Sequence, residues 1–290
     1  ESWIAGYSPL NDVSLYTNQH PDQHNLLFYP SNPNRVLSAN DGGVYRAEDI
    51  TEESPGIEPV TWIALNNGYL TTQPYVVAID PQTESEDLLS GFQDNGSWFT
   101  NASELEVPWT EDFGGDGSYA AIADQGRTRY VSSQRGRVYR LNFDENGVEE
   151  SFTRVQPAVA GDFRFIAPFI LDPNEDNIMY MPAGGTMWRN NNLDQIPLFS
   201  NSPTSVNWVE MTETTVTGTI TALDVSTYPV ANRLFYGTNE GEVYKIDNAN
   251  LDGQAVINVT GANFPDGNIV CVTVDPNNSD EVFAVFSNYG

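Results

Sequence analysis

Lysine, cysteine and histidine are nearly absent from this chain. Its 290 residues include one cysteine and two histidines, and Lys245 is the single lysine. A lone cysteine cannot form an internal disulfide. Because Cys271 lies in the apolar run 269–272, we interpret it as a buried strand residue. No apolar run approaches the roughly 20 residues of a membrane helix, which argues against direct membrane insertion.

Positive charge is scarce in general. Lysine and arginine total 12 against 40 aspartates and glutamates, for a formal net charge of −28. Nucleic acids and anionic membrane surfaces need a basic footprint, so neither is expected as the main partner. A lysine-poor acidic surface stays hydrated in salt, and we interpret the protein as secreted and extracellular. Hydrophobic residues at 39% suffice for a large core and argue against disorder.

One pattern recurs along the chain. An apolar strand, often ending in Asp-Pro, is followed by a second strand, a turn containing glycine and a third strand. The runs are rich in Val, Ile, Tyr and Phe and are too short for helices. Successive turns lie 40 to 56 residues apart, which is the repeat length of β-propeller blades. The turn glycines are Gly43, Gly96, Gly136, Gly185 and Gly241.

The repeats predict an all-β fold, a β-propeller of about six to seven four-stranded blades, as a single domain over 1–290. Fourth strands are expected at 61–65, near Trp109, and at 152–155, 206–209 and 256–259. A sixth copy at 272–286 lacks its third and fourth strands, and residues 1–19 match the repeat poorly. Because a propeller must close, either the N-terminal segment completes the last blade or the chain is part of a longer polypeptide. We expect the second, with further domains, because the sequence ends inside a strand–turn signal.

The first turn carries a family resemblance. Residues 40–46 read Asn-Asp-Gly-Gly-Val-Tyr-Arg and precede Asp49 and Trp62, while Ala47 stands where an Asp-box has Ser or Thr. The chain thus resembles the sialidase-like Asp-box (BNR/VPS10-like repeat) β-propellers of secreted bacterial surface proteins. It is similar, more distantly, to xyloglucanase-type propellers. The resemblance implies an exported surface protein.

Asp41 is the candidate catalytic residue. In the xyloglucanase-like group a similar turn carries a catalytic acid, and glycoside hydrolysis needs a second carboxylate. Asp94 and Asp116 are the candidates to face Asp41 across a propeller mouth, although the second acidic motif of the family is not identifiable. The alternative is that these aspartates cap their own turns.

His20, Asp22 and His24 are the candidate metal ligands. Side chains two apart in a strand share a face, and imidazole with carboxylate suits zinc or a similar ion. Such neighbours lie about 6–7 Å apart, so one ion reaches all three only if the chain bends at Pro21. The alternative is a hydrogen-bonded structural cluster. The turns 144–147 and 250–253 are weaker candidates for calcium.

Aromatic residues near turns are candidate ligand contacts. Sugar rings stack on aromatic side chains, so we predict a groove formed by Trp98, Trp109, Asp94 and Asp116. The alternative for the tryptophans is packing between blades. The arginines of 127–140 are expected to pair with acids of neighbouring blades rather than to form a sialidase site.

The sequence therefore favours a non-enzymatic extracellular module that binds a glycan or a protein, or acts as a scaffold in a larger surface protein. The expected partner is a polysaccharide or a surface protein. A glycoside hydrolase with Asp41 as one carboxylate is the alternative. No cofactor motif is found, and calcium or another divalent ion is the candidate cofactor.

Overall fold

The computed structural model describes residues 4–5, 19–52, 60–68, 72–81, 83–104 and 107–287. Over these ranges the protein consists of antiparallel sheets and short 3₁₀ turns, which confirms the all-β class. Two compact units are present, Glu1–Thr72 and Gln73–Gly290. Most of the poorly matching N-terminal stretch lies outside the described residues. None of the helical segments described is long and apolar enough for a membrane span.

The first unit contains one antiparallel sheet whose four strands follow in chain order. They are β1 (Gln23–Tyr29), β2 (Asn32–Asn40), β3 (Gly43–Ala47) and β4 (Ile63–Ala64). Val36, Tyr45 and Trp62 belong to its buried cluster. The indole of Trp62 also donates to the carbonyl of Ile4 at 2.9 Å. The predicted fourth strand is therefore present, and its tryptophan is a core residue.

The second unit contains four more four-stranded antiparallel sheets and one two-stranded sheet, each with its strands in chain order. The first sheet is β5 (Pro74–Ile79), β6 (Leu88–Phe92), β7 (Gly96–Thr100) and β8 (Thr110–Phe113); the second is β9 (Ala120–Ala123), β10 (Thr128–Ser133), β11 (Arg137–Phe143) and β12 (Glu149–Arg154). The third is β13 (Ile170–Asp172), β14 (Glu175–Ala183), β15 (Thr186–Asn190) and β16 (Trp208–Met211). The fourth is β17 (Ile220–Val225), β18 (Leu234–Thr238), β19 (Val243–Ile246) and β20 (Val256–Asn258), and β21 (Asn268–Asp275) with β22 (Asn278–Ser287) completes the unit.

Glycine sets the tight turns between second and third strands. Gly96, Gly136 and Gly241 adopt φ of 76°, 71° and 83°, in the left-handed region that side chains disfavour. In the third sheet of the second unit the positive φ falls on Gly184, at 57°, one residue before the predicted glycine. The repeat in the sequence thus marks the turns to within one residue.

Consecutive sheets of the second unit share buried apolar clusters. Leu89 of β6 lies in one cluster with Val131 of β10, and Tyr130 of the same strand lies in the next with Met179 of β14. Further along, Tyr180 clusters with Tyr236 of β18. The last cluster joins β17 and β18 to β21 and β22. The sheets therefore pack against one another in chain order.

Buried arginines link these sheets. Arg140 on β11 donates to the carbonyl of Leu193 at 2.7 Å and pairs with Asp194, beyond the third strand of the next sheet. Arg189 holds the same strand position one sheet later and contacts Ala249 and Asp252. The expected pairing with acids of neighbouring sheets is thus observed for Arg140.

Two other arginines of the 127–140 group behave differently. Arg127 pairs locally with Asp124, three residues away, instead of with a neighbouring sheet. Arg137 lies over the rings of Phe113 and Tyr139. The surplus of acids therefore does not decide the partner of every arginine.

Cys271 lies in β21 as predicted, but its side chain is exposed rather than buried. The register shifts between Ile269 and Cys271, so two consecutive residues, Val270 and Cys271, turn away from the buried cluster. An apolar run alone does not reveal such a bulge.

Candidate functional site

Three predicted functional residues of the first unit come together. Side-chain donor atoms of His20, Asp22 and Asp41 lie within 4.8 Å of one another. His20 and Asp22 precede β1, while Asp41 lies in the turn between β2 and β3. The candidate catalytic residue and two candidate metal ligands therefore form one group, called here the His–Asp cluster.

A bend before β1 creates this cluster. The strand begins only at Gln23, and residues 21–22 form a bend, so the chain is not extended throughout 20–24. The backbone N–H of Asp22 donates to Nδ1 of His20 at 3.3 Å, and that of Asp41 donates to the carbonyl of Asp22 at 3.4 Å. The bend that a shared metal ion requires is thus present.

The turn glycine Gly42 allows the close approach. A Cβ added at Gly42 would lie 3.1 Å from Cβ of His20 and 2.7 Å from the Tyr45 hydroxyl. Any side chain here would push the turn away from His20 or from Tyr45.

His24 joins the cluster through Asp41. Its Nε2 contacts Oδ1 of Asp41, and the imidazole is 62% exposed. The turn itself is capped by Asn40, whose Oδ1 accepts the N–H of Gly42 at 2.9 Å. Asn40 makes this local cap, while the Asp41 carboxylate faces His24. The cluster can hold a divalent cation, because it combines imidazole and carboxylate donors.

A second group lies at one end of sheet β5–β8. Asp94, at the β6–β7 turn, has φ of 60°, and its N–H donates to Oδ1 of Asp116 at 2.9 Å. Gln134 contacts the other oxygen of Asp116. Asp116 is buried, and its side chain holds the turn of Asp94, whereas the capping alternative had each aspartate capping its own turn. Asp94 is half-buried.

Several aromatic side chains lie in or next to the same sheet. The rings of Phe92 and Trp109 meet edge to face with centroids 6.0 Å apart. Trp98 is partly buried and donates its indole N–H to the carbonyl of Asn95. The Tyr75 side chain is 39% exposed; burial, and then the charges of Asp116 and Asp94, raise the pKa of its phenol.

Sequence analysis missed Tyr75 and Phe92. Pro74 pairs with Phe92 across β5 and β6, which brings the start of the first strand beside the end of the second. An aromatic residue at each of these strand ends was the available signal. We call Tyr75, Phe92, Asp94 and Trp109 the aromatic–Asp94 face.

No protein-family model matches this sequence, and a search of curated proteins finds no match.

One cavity of about 320 Å³ lies where first strands of the second unit converge. Asp224 at its wall accepts the N–H groups of Val225 at 2.9 Å and Val274 at 2.8 Å. Burial nevertheless raises the pKa of the Asp224 carboxyl, against the lowering effect of these hydrogen bonds. The walls are formed by residues that include Ile79, Ile122, Leu171, Val225 and Val274.

The two weaker calcium candidates have other partners. Oδ1 of Asp144 accepts the N–H groups of Asn146 and Val148, both at 2.8 Å, which closes a hairpin turn. Asp252 contacts Arg189. Both carboxylates are accounted for by turn or ion-pair contacts.

Proposed function

We propose that the protein is a secreted or cell-surface β-propeller module that binds polysaccharide and does not hydrolyse it. The proposal has three parts, which are the blade arrangement, the ligand-binding face and the absence of turnover. The aromatic–Asp94 face carries the proposal.

The propeller part is supported by the repeated sheets. All the described sheets have strands in chain order, as propeller blades do. In the second unit, consecutive sheets bury shared apolar clusters, and first strands from five sheets line one cavity. First strands line the central channel in a propeller. This arrangement supports a propeller.

The ligand part is supported by the chemistry of the aromatic–Asp94 face. Sugar rings present apolar C–H faces that stack on aromatic rings and hydroxyl groups that donate to carboxylates. The Phe92–Trp109 pair and the exposed Tyr75 supply rings, and the half-buried Asp94 supplies a carboxylate. A neutral polysaccharide is the partner that fits this face of an acidic protein, because charge would repel an anionic one.

One observation favours the hydrolase alternative. Carboxylate oxygens of Asp22 and Asp41 lie within 4.8 Å, near the separation of roughly 5–5.5 Å found in retaining glycosidases. We nevertheless favour polysaccharide binding without hydrolysis. His20 contacts Asp22 and His24 contacts Asp41, so both carboxylates are engaged by imidazoles in an arrangement that suits a bound cation.

The ligand part is tested by retention on a panel of immobilised neutral polysaccharides. We expect wild-type protein to be retarded by at least one of them and Trp109→Ala to lose most of this retardation. Phe199→Ala is the matched control, because Phe199 is an exposed aromatic in the same unit, 65% exposed and packed on Phe152. Equal retardation of the Trp109 and Phe199 variants, or none by wild type, would contradict the proposed face.

A further inference from the structure

We infer that the His–Asp cluster is a binding site for a first-row divalent transition metal such as Zn²⁺, with His20, Asp22 and Asp41 as ligands and His24 positioning Asp41. This goes beyond polysaccharide binding and does not depend on it. It also gives Asp41 a metal-binding role in place of the catalytic one that its sequence motif suggested.

Geometry supports three ligands from two segments. The donor atoms of His20, Asp22 and Asp41 already lie within 4.8 Å of one another, so small side-chain rotations bring them to the 2.0–2.2 Å bonds that Zn²⁺ makes. The backbone bond from Asp41 to Asp22 fixes the two segments together. An ion would therefore join the chain before β1 to the β2–β3 turn.

Charge favours an ion at this position. Two carboxylates within 4.8 Å repel each other, and the protein carries a net charge of −28. A divalent cation bound with neutral His20 balances both carboxylates. The side chains are accessible, His20 at 20% and Asp22 at 41%, so an ion can enter from solvent.

His24 has the position of an outer-shell partner. Ligating carboxylates in metal sites are commonly held by hydrogen bonds from a second layer of side chains, and removal of such a partner typically costs 10–100-fold in affinity. His24 Nε2 contacts Oδ1 of Asp41, which leaves Oδ2 of that carboxylate for the ion. The imidazole thus orients Asp41 without binding the metal.

The donor set selects the class of ion. Calcium and magnesium prefer oxygen ligands throughout, whereas an imidazole nitrogen suits zinc and its neighbours in the first row. With His20 as one of three ligands, Zn²⁺ is expected to bind more tightly than Ca²⁺. For this cluster, a first-row ion such as Zn²⁺ is therefore the more specific expectation than calcium.

The test uses untagged, chelator-treated full chain titrated with Zn²⁺ by calorimetry. We expect one Zn²⁺ per chain, little competition from excess Ca²⁺, at least 100-fold weaker binding for Asp22→Asn, and about 10-fold weaker binding for His24→Ala. Asp49→Asn is the matched control, because Asp49 lies in the same unit and binds Thr51 instead of the cluster. It should bind Zn²⁺ like wild type.

Imidazole NMR makes the test independent of folding losses. The two histidines of the chain both belong to this site, so ¹⁵N imidazole signals report on it alone. Zn²⁺ should shift the His20 nitrogens strongly and those of His24 weakly. No stoichiometric Zn²⁺ binding by wild type, wild-type affinity in Asp22→Asn, or unshifted His20 signals would each overturn the site.

Discussion

Arg189 on β15 forms an ion pair with Asp252, which follows the third strand of the next sheet. The arginine side chain is only 2% exposed, and it also donates to the carbonyls of Ala249 and Leu251 at 2.7 and 2.8 Å. Arg140 and Asp194 repeat this relationship one sheet earlier. The third strand of each of these two sheets therefore supplies a buried arginine that links it to the next sheet.

This link makes Arg189 important for stability. Arg189→Ala leaves two carbonyl acceptors near the core without their donor, and we expect a loss of about 3 kcal/mol in the free energy of unfolding. Urea denaturation followed by tryptophan fluorescence measures it. Arg127→Ala is the control, because its pair with Asp124 is exposed and should cost under about 1 kcal/mol. Equal losses in both variants would show that the link is unimportant.

The Arg129–Asp112 pair provides a double-mutant test. Arg129 lies between the rings of Phe99 and Phe143, at 3.3 and 4.0 Å from their centroids, and its pair with Asp112 is buried. Arg129→Met leaves the buried Asp112 carboxylate without its cation, and we expect a loss of about 3–5 kcal/mol in the free energy of unfolding. Adding Asp112→Leu should restore most of this loss. A double variant as unstable as the sum of the single ones would contradict the interpretation.

Asp224 predicts a pH dependence of stability. Burial raises the pKa of the Asp224 carboxyl above its ordinary value of 3.8, so the folded state keeps this proton up to a higher pH than the unfolded state does. Its contribution to stability is then full below the unfolded pKa and is lost as the pH rises through the folded pKa. We expect the unfolding free energy of wild type minus that of Asp224→Asn to fall as the pH rises from below 3.8 towards neutrality.

Asp144 provides a control in which the pH dependence of stability has the opposite sign. The N–H of Val148, and then hydrogen bonds from Asn146, hold the pKa of Asp144 below its ordinary value. Its stabilising contribution is present above the unfolded pKa and is lost as the pH falls through the folded one. The same direction of change in the Asp224 and Asp144 variants would refute one of the two assignments, namely the one whose predicted direction is not observed.

A close backbone approach predicts the effect of one glycine substitution. A Cβ at Gly91 on β6 would lie 2.1 Å from the carbonyl oxygen of Ser118, so Gly91→Ala forces the backbone apart. We expect a loss of several kcal/mol or failure to fold. Gly161→Ala is the control, because a Cβ there meets nothing within 4 Å. Its thermal midpoint should equal or exceed that of wild type.

Local sequence signals predicted many of the strands and turns because such signals depend on few residues. Asp-Pro at 80–81 directly follows β5, and Asp275 of the Asp-Pro at 275–276 is the last residue of β21. Gly96 and Gly241 take the positive φ that their turns need. Proline ends strand pairing and glycine permits the turn, whatever the rest of the fold. The predicted burial of Cys271 was wrong because a bulge depends on pairing with the partner strand, which the local sequence does not show.

The candidate sites were predicted only in part. The contact between His24 and Asp41 joins residues 17 apart, and it depends on a bend at 21–22 that spacing alone does not give. The pairing of Pro74 with Phe92, which brings Tyr75 to the end of the sheet that carries Asp94, depends on strand register. The opposition of Asp41 to Asp94 or Asp116 concerns residues of different units and stays a prediction.

The most direct test of binding without turnover combines two readings on one sample. Wild-type protein is incubated with the polysaccharide that retards it most, with Zn²⁺ present, and bound protein and new reducing ends are both measured. We predict saturable binding that Trp109→Ala abolishes, with no increase in reducing ends over time. Steady release of reducing ends that Asp41→Asn abolishes would contradict the account and identify a hydrolase.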